Sequence, residues 1–295
     1  MKVRFWGVRG SIPSPGPDTV RYGGNTTSIE VTTDAGHTII LDAGTGIRKL
    51  GLKLMAEGKQ EVAICLSHTH WDHIQGLPFF VPLFVPGKDI HFYGAFDPVY
   101  QKELHTILSQ QMEYCYFPVR ELDLQANIKY NSLREGVTFT YHDATISNVM
   151  MNHPVLTYGY RVECNGKSVF FSGDHEPPYN IYDSDDTFHG EYQQLIQDKV
   201  SDICKLARDV DLFIIDAQYT EPELVSTRRG WGHGTFASGI AMAKAARAKH
   251  VAFTSHDPER TDDQLDRIAE KLKAQRRSHD PELTIAYEGF EYDFG

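Results

Sequence analysis

The chain has 295 residues and a mass of 33.4 kDa, enough to bury roughly three-quarters of its extended-chain surface without disulfide staples. Its 41% hydrophobic content is ordinary for a globular protein and excludes disorder and collagen. Twenty-nine Lys and Arg against 40 Asp and Glu leave a net charge of −11, which argues against a broad basic surface for extended nucleic acid.

In chain order, period-2 or short continuous apolar runs predict strands at 3–8, 27–32, 37–41 and 62–67. Ile47, Leu50, Leu54 and Met55 recur at helical spacing, so an amphipathic helix is expected over 46–57. Residues 77–92 are aromatic and Pro-rich, and a helix-like stretch follows at 99–111. Strands are then expected at 137–141, 146–151, 158–163 and 168–172, a helix at 191–208, and a buried strand with acidic ends at 211–216. The remainder alternates helix 235–248, strand 251–255, helix 262–276 and strand 283–287. Strand clusters in both halves, each followed by helices, imply an α/β chain with two sheets face to face and helices outside. The expected organisation is one four-layer domain over 1–295, with an aromatic-rich insertion at about 77–135.

The four cysteines, Cys65, Cys115, Cys164 and Cys204, form no CxxC pair and read as reduced core residues. The first residues run straight into a strand without a signal-like apolar region, and no stretch reaches 18 apolar residues. A soluble cytoplasmic chain with no membrane partner is expected.

Fourteen histidines call for a metal or proton-transfer explanation, and several of them cluster. Ser67-His68-Thr69-His70-Trp71-Asp72-His73 stands where an apolar strand gives way to a loop. Imidazole and carboxylate together suit zinc, manganese or iron, and the lack of cysteine leans away from a closed structural zinc. On a continuing strand, positions 68, 70 and 72 share one face; a turn after His70 instead divides the four ligands between two ions.

His68-x-His70-x-Asp72-His73 resembles the signature of the metallo-β-lactamase superfamily. Polar residues ending later apolar runs resemble the rest of its ligand order: His153 after Val149-Met150-Met151-Asn152, Asp174 after Phe170-Phe171-Ser172-Gly173, and His256 after Phe253-Thr254-Ser255. The resemblance implies an αββα sandwich of two mixed sheets. It implies one ion on His68, His70 and His153, a second on Asp72, His73 and His256, and Asp174 bridging them. Two divalent ions about 3.5–4 Å apart can share a hydroxide aimed at an electrophile. Zinc is the expected metal, with manganese and iron as the others the donors suit. Asp72 counts as catalytic because its loss removes an ion.

Gly230-Trp231-Gly232-His233-Gly234-Thr235 precedes an amphipathic helix and resembles the histidine motif of the phosphodiesterase branch, which includes RNase Z, the phosphonate-pathway cyclic phosphodiesterase and class II cyclic-nucleotide phosphodiesterases. That implies His233 as a proton donor to a departing alkoxide, with Asp216 as its acidic partner. Asp42 is expected to orient ligands, and Arg228 and Arg229 to meet a phosphate. The aromatic stretch 79–117 either walls a base-binding pocket, packs as core and lid, or forms a homodimer surface. The resulting expectation is a binuclear hydrolase of small nucleotide-like phosphodiesters, such as a cyclic nucleotide or short oligonucleotide. The rival readings are an RNase Z-like tRNA 3′ endoribonuclease, a thioester or lactone hydrolase of the same fold, and a non-catalytic nucleotide or metal sensor.

Overall fold

Fourteen strands form two seven-stranded sheets in the computed structural model, which describes residues 1–295. The first half supplies β1 (Lys2–Gly7), β2 (Ser28–Thr32), β3 (Thr38–Leu41), β4 (Glu61–Cys65), β5 (Asp89–Ala95) and β6 (Asn127–Leu133). The second supplies β7 (Thr138–Tyr141), β8 (Ala144–Met150), β9 (Tyr158–Cys164), β10 (Lys167–Phe171), β11 (Leu212–Asp216), β12 (His250–Thr254), β13 (Glu282–Ile285) and β14 (Glu291–Asp293). One sheet runs β14-β1-β2-β3-β4-β5-β6 and the other β13-β12-β11-β10-β9-β8-β7, so the last strand returns to pair with the first.

Alternation along each strand sorts side chains into layers. In β3, Ile39 and Leu41 enter a 25-residue core between the sheets, whereas Ile40 faces outward. In β10 and β11, Val169, Phe171, Leu212 and Ile214 face the same central core, while Phe170, Phe213 and Ile215 face away from it. Those outward rows need covers. Helix α1 (Ile47–Ala56) buries Ile47, Leu50 and Leu54 over the first sheet, joined by α2 (Trp71–Ile74) and α3 (Leu104–Gln110). Helices α4 (His189–Leu206), α5 (Glu221–Glu223), α6 (Phe236–Ala245) and α7 (Asp262–Gln275) belong to the second half; Ile203, Ala243 and Leu265 close its outer core. The result is the expected αββα sandwich.

Two strands of the first sheet, β5 and β6, come from the 77–135 stretch that the sequence reading treats as an aromatic insertion. That stretch divides its aromatics: Phe80 and Phe92 are buried, while Phe79, Tyr114 and Tyr116 are exposed. Its helix begins at Leu104 rather than 99, because Asp97 accepts the amides of Val99 and Tyr100 in a turn. Cys115 is exposed, contrary to the core placement expected for all four cysteines, because it lies in the turn-rich segment after α3.

The two sheets are tied near the site by Tyr160, fully buried in β9, whose hydroxyl donates to the Leu66 carbonyl at 2.8 Å. Tyr160→Phe would leave that carbonyl without this donor. We expect a loss of about 1–2 kcal/mol, read as a lower urea midpoint with an unchanged slope.

Candidate metal centre

Parallel strands of an α/β sheet converge their carboxyl ends on one edge, where such folds bind ligands. β3, β4 and β5 are parallel in one sheet, and β10, β11 and β12 in the other. Asp42 follows β3, the 68–73 cluster follows β4, Asp174 follows β10, Asp216 ends β11, and His256 follows β12. His153 follows the antiparallel β8 at the same edge. Asp42 and Ser255 hold φ values of +61° and +60°, left-handed backbone that residues other than glycine adopt at a cost of about 1 kcal/mol or more.

Three imidazoles meet first. His70 Nδ1 lies 3.1 Å from His68 Nε2 and 3.0 Å from His153 Nε2. The hydrogen-bond partners fix the tautomers of two of them. His153 Nδ1 donates to the Gly232 carbonyl at 2.8 Å, which leaves a lone pair on Nε2 in the neutral ring. Ser67 Oγ gives its proton to Asp42 at 2.7 Å, so His68 Nδ1 donates to Ser67 Oγ at 3.0 Å and its Nε2 also carries a lone pair. Burial draws His68 well below the usual imidazole range, with His73 adding to the effect. With those tautomers His70 Nδ1 faces both Nε2 atoms.

A second group adjoins the first through Asp174. His73 Nδ1 donates to Asp42 at 2.7 Å, and its Nε2 faces Asp174 Oδ2 at 3.1 Å and Asp72 Oδ2 at 3.3 Å. Asp174 Oδ2 is also 3.6 Å from His68 Nε2 and 4.0 Å from His153 Nε2. Asp72 is held by the Ser11 amide at 2.7 Å. Burial opposes a charge on His73, but Asp174, Asp72 and Asp42 outweigh it and hold the ring well above its ordinary value. His256 is not among the groups whose ligand atoms meet within 4.8 Å. Its Nε2 donates to the Ala286 carbonyl at 2.7 Å, while its buried Nδ1 has no partner. Burial pushes this ring down to about 3, so it stays neutral with Nδ1 as a lone pair.

These donors fit divalent cations. Crowded imine lone pairs and two carboxylates are mutually repulsive unless positive charge lies between them, and the far nitrogens of His73 and His153 are oriented by acceptors as metal-ligating histidines require. His256 likewise has one ring nitrogen on a carbonyl and the other, Nδ1, buried without a partner.

Beside this cluster, His233 Nδ1 lies 3.0 Å from Asp216 Oδ2 and 3.8 Å from Asp174 Oδ2. Burial opposes protonation of His233, but Asp216 and Asp174 outweigh it and push the ring up to about 9. Burial pushes the Asp216 carboxyl above its usual range, opposed by His233 and by the His175 amide; Oδ2 accepts that amide and the Gly234 amide. The expected His233–Asp216 pair is therefore in contact. Of the two expected phosphate contacts, Arg228 lies 4.4 Å over Trp231 and 5.8 Å over Tyr219, and Arg229 lies 4.8 Å over Tyr179. The sequence reading missed Glu176, buried two residues past Asp174, whose carboxylate accepts amides of the glycine loop that carries His233. A buried acid without a basic partner in sequence gives no local signal.

A family model described as Beta-lactamase superfamily domain matches residues 37–256. The chain belongs to this family. Within it, the chain is similar to the Ribonuclease Z of Agathobacter rectalis, 24% identical over 260 residues that span 79% of this chain and 83% of the relative. The metallo-beta-lactamase fold protein YhfI from Bacillus subtilis superposes with a TM-score of 0.68 at 19% identity, covering 99% of each chain. A diphosphatase from the PhnP family superposes with a TM-score of 0.65 at 18% identity, over 100% of this chain and 98% of that one. By family the chain is a hydrolase. No helix is long and apolar enough to cross a membrane.

Proposed function

We propose that the chain is a cytoplasmic binuclear hydrolase, dependent on divalent metal, that cleaves phosphodiester bonds of small nucleotide-like substrates. His233 on Asp216, beside the lone-pair cluster, carries the reading. An alkoxide leaving from phosphorus is strongly basic and needs a proton in the transition state, whereas a thiolate leaving from a thioester does not. Two divalent ions, when bound, supply an activated water and neutralise the phosphoryl oxygens. His68, His70 and His153 would hold one ion, Asp72, His73 and His256 the other, and Asp174 would contribute to both. Asp42 holds the His73 ring in the tautomer that presents Nε2. His233 gives its proton to the leaving oxygen, and Asp216 stabilises the ring while it is charged.

Small substrates are favoured by the −11 charge, because steering of a long polyanion would have to overcome it. Trp71 and Trp231 are 81% and 55% exposed on the segments bearing Asp72 and His233, and offer faces on which bases stack. The name of the Agathobacter relative favours a second reading, a tRNA 3′ endoribonuclease.

Zinc- or manganese-loaded protein should hydrolyse bis-(p-nitrophenyl) phosphate and a cyclic nucleotide, and leave an acyl thioester untouched. A tRNA precursor cleaved more than a hundredfold faster than either small diester would transfer the assignment to the second reading. Turnover of the thioester alone would overturn both.

A further inference from the structure

Glu176 is 3% exposed, yet no lysine, arginine or histidine forms an ion pair with it. Its oxygens are instead filled by one turn of backbone. The Gly230 amide donates to Oε1 at 2.8 Å and Oε2 at 3.0 Å, and the Gly232 amide donates to Oε2 at 2.8 Å. Both glycines hold positive φ, +84° and +88°, which lets their amides turn toward the same acceptor. Gly232 has a second reason to be glycine: a Cβ there would lie 2.3 Å from His153 Nδ1.

The main chain of Glu176 is fixed at the other side. Its amide donates to the Asn152 carbonyl at 2.9 Å, and Asn152 Nδ2 donates back to the Glu176 carbonyl at 2.9 Å. Asn152 immediately precedes His153, whose Nδ1 donates to the Gly232 carbonyl. A closed circuit results: Glu176 grips the loop through its side chain and the His153 segment through its backbone, and Gly232 and His153 complete the ring. Gly232 also precedes His233.

We propose that Glu176 is a positioning residue that sets His153 and His233 together, so that the nucleophile side and the leaving-group side of the site stay in register. This rests on the phosphodiesterase reading for its catalytic consequence but not for its structural one. A carboxylate is required because all its contacts are donors. Glutamine keeps the size, supplies one acceptor and turns an NH2 group against an amide N–H. Losing that grip frees the loop, tilts His233 from the leaving oxygen and removes the fixed carbonyl that orients His153.

The test compares wild type with Glu176→Gln, in protein stripped by chelation and in metal-loaded protein. In stripped protein, amide hydrogen exchange over 230–233 should rise at least about tenfold, the effect of losing a hydrogen bond worth ~1.4 kcal/mol, while exchange in β10 and β11 is unchanged. Metal affinity, read by competition with a chelating dye, should fall about 10- to 100-fold, as for other groups that orient a ligating histidine. With loaded enzyme, kcat for a diester with an alkyl leaving group should fall about 100-fold with KM little changed, and by less than about tenfold for p-nitrophenolate, which leaves without an acid. Equal losses on both substrates, or exchange over 230–233 unaltered, would overturn the proposal. If Glu176→Gln does not fold, Asn152→Ser opens the circuit at its other arm and should show the same leaving-group asymmetry at smaller size; a symmetric loss overturns the proposal there too. If the wild type cleaves no phosphodiester, the functional reading fails on its own, and the exchange result still decides whether Glu176 holds the loop.

Discussion

Asp174→Asn should lower kcat/KM toward every phosphodiester by at least about a thousandfold, on the order of 4 kcal/mol of transition-state stabilisation, while the chain stays folded. No other side chain has an oxygen so placed: Oδ2 is 3.1 Å from His73 Nε2, 3.6 Å from His68 Nε2, 3.8 Å from His233 Nδ1 and 4.0 Å from His153 Nε2. It is shared by two of the three groups of converging ligand atoms. Asparagine preserves the shape but removes the charge, and its amide directs either a neutral oxygen or a pair of protons at the imidazole lone pairs. Elemental analysis should then find the metal content reduced to one ion or fewer per chain. Two tightly held ions in Asp174→Asn, with activity within tenfold of wild type, would sink the bridging role. Circular dichroism and a melting curve close to wild type separate this loss from misfolding.

The layered fold was legible wherever strands are buried on both faces. Val62-Ala63-Ile64-Cys65 and Leu212-Phe213-Ile214-Ile215 are continuous apolar runs because a core lies on each side of the sheet. β5 and β6 lack such a run. β5 mixes Asp89, His91 and Tyr93 with its apolar residues, and β6 is an edge strand carrying Asn127, Lys129, Asn131 and Ser132. Their order comes from pairing, β5 with β4 and β6 with β5, and from α3, not from local pattern. The three-residue β14 is likewise defined by its pairing with β1.

The site divides in the same way. His68, His70, Asp72 and His73 are neighbours in sequence, so their convergence needs only a strand end and a turn. His153, Asp174 and His256 became candidates only through a resemblance, because single polar residues at strand ends are common. Glu176 escaped notice because its partners are amides 54 and 56 residues away, and amides leave no mark on composition. Arg228 and Arg229 suggest phosphate by their charge alone, and the structure adds that their guanidinium groups lie over Trp231, Tyr219 and Tyr179.

His233→Ala should cut kcat about 10²- to 10⁴-fold on a diester with an alkyl leaving group, and far less on bis-(p-nitrophenyl) phosphate. The pH dependence follows from the same proton. Asp216 and Asp174 raise His233 to about 9 against the effect of burial, so below that pH the ring is charged and can donate. Activity should therefore fall as pH rises through the His233 value, giving an alkaline limb to the kcat profile that His233→Ala lacks. Bound divalent ions offset the charge of Asp174 and draw the limb below 9. Asp216→Asn removes the nearer carboxylate and should move it lower still, because the imidazolium loses its hydrogen-bonded partner at 3.0 Å. Stability responds with a defined sign as well. A histidine raised on folding contributes stability that is complete below its unfolded value near 6.5 and is lost as pH climbs toward 9. His233→Ala should accordingly flatten the stability profile between those limits. An unchanged alkaline limb in His233→Ala, with equal losses on alkyl and nitrophenyl esters, would remove His233 from the proton-donor position and leave it a loop residue held by Asp216.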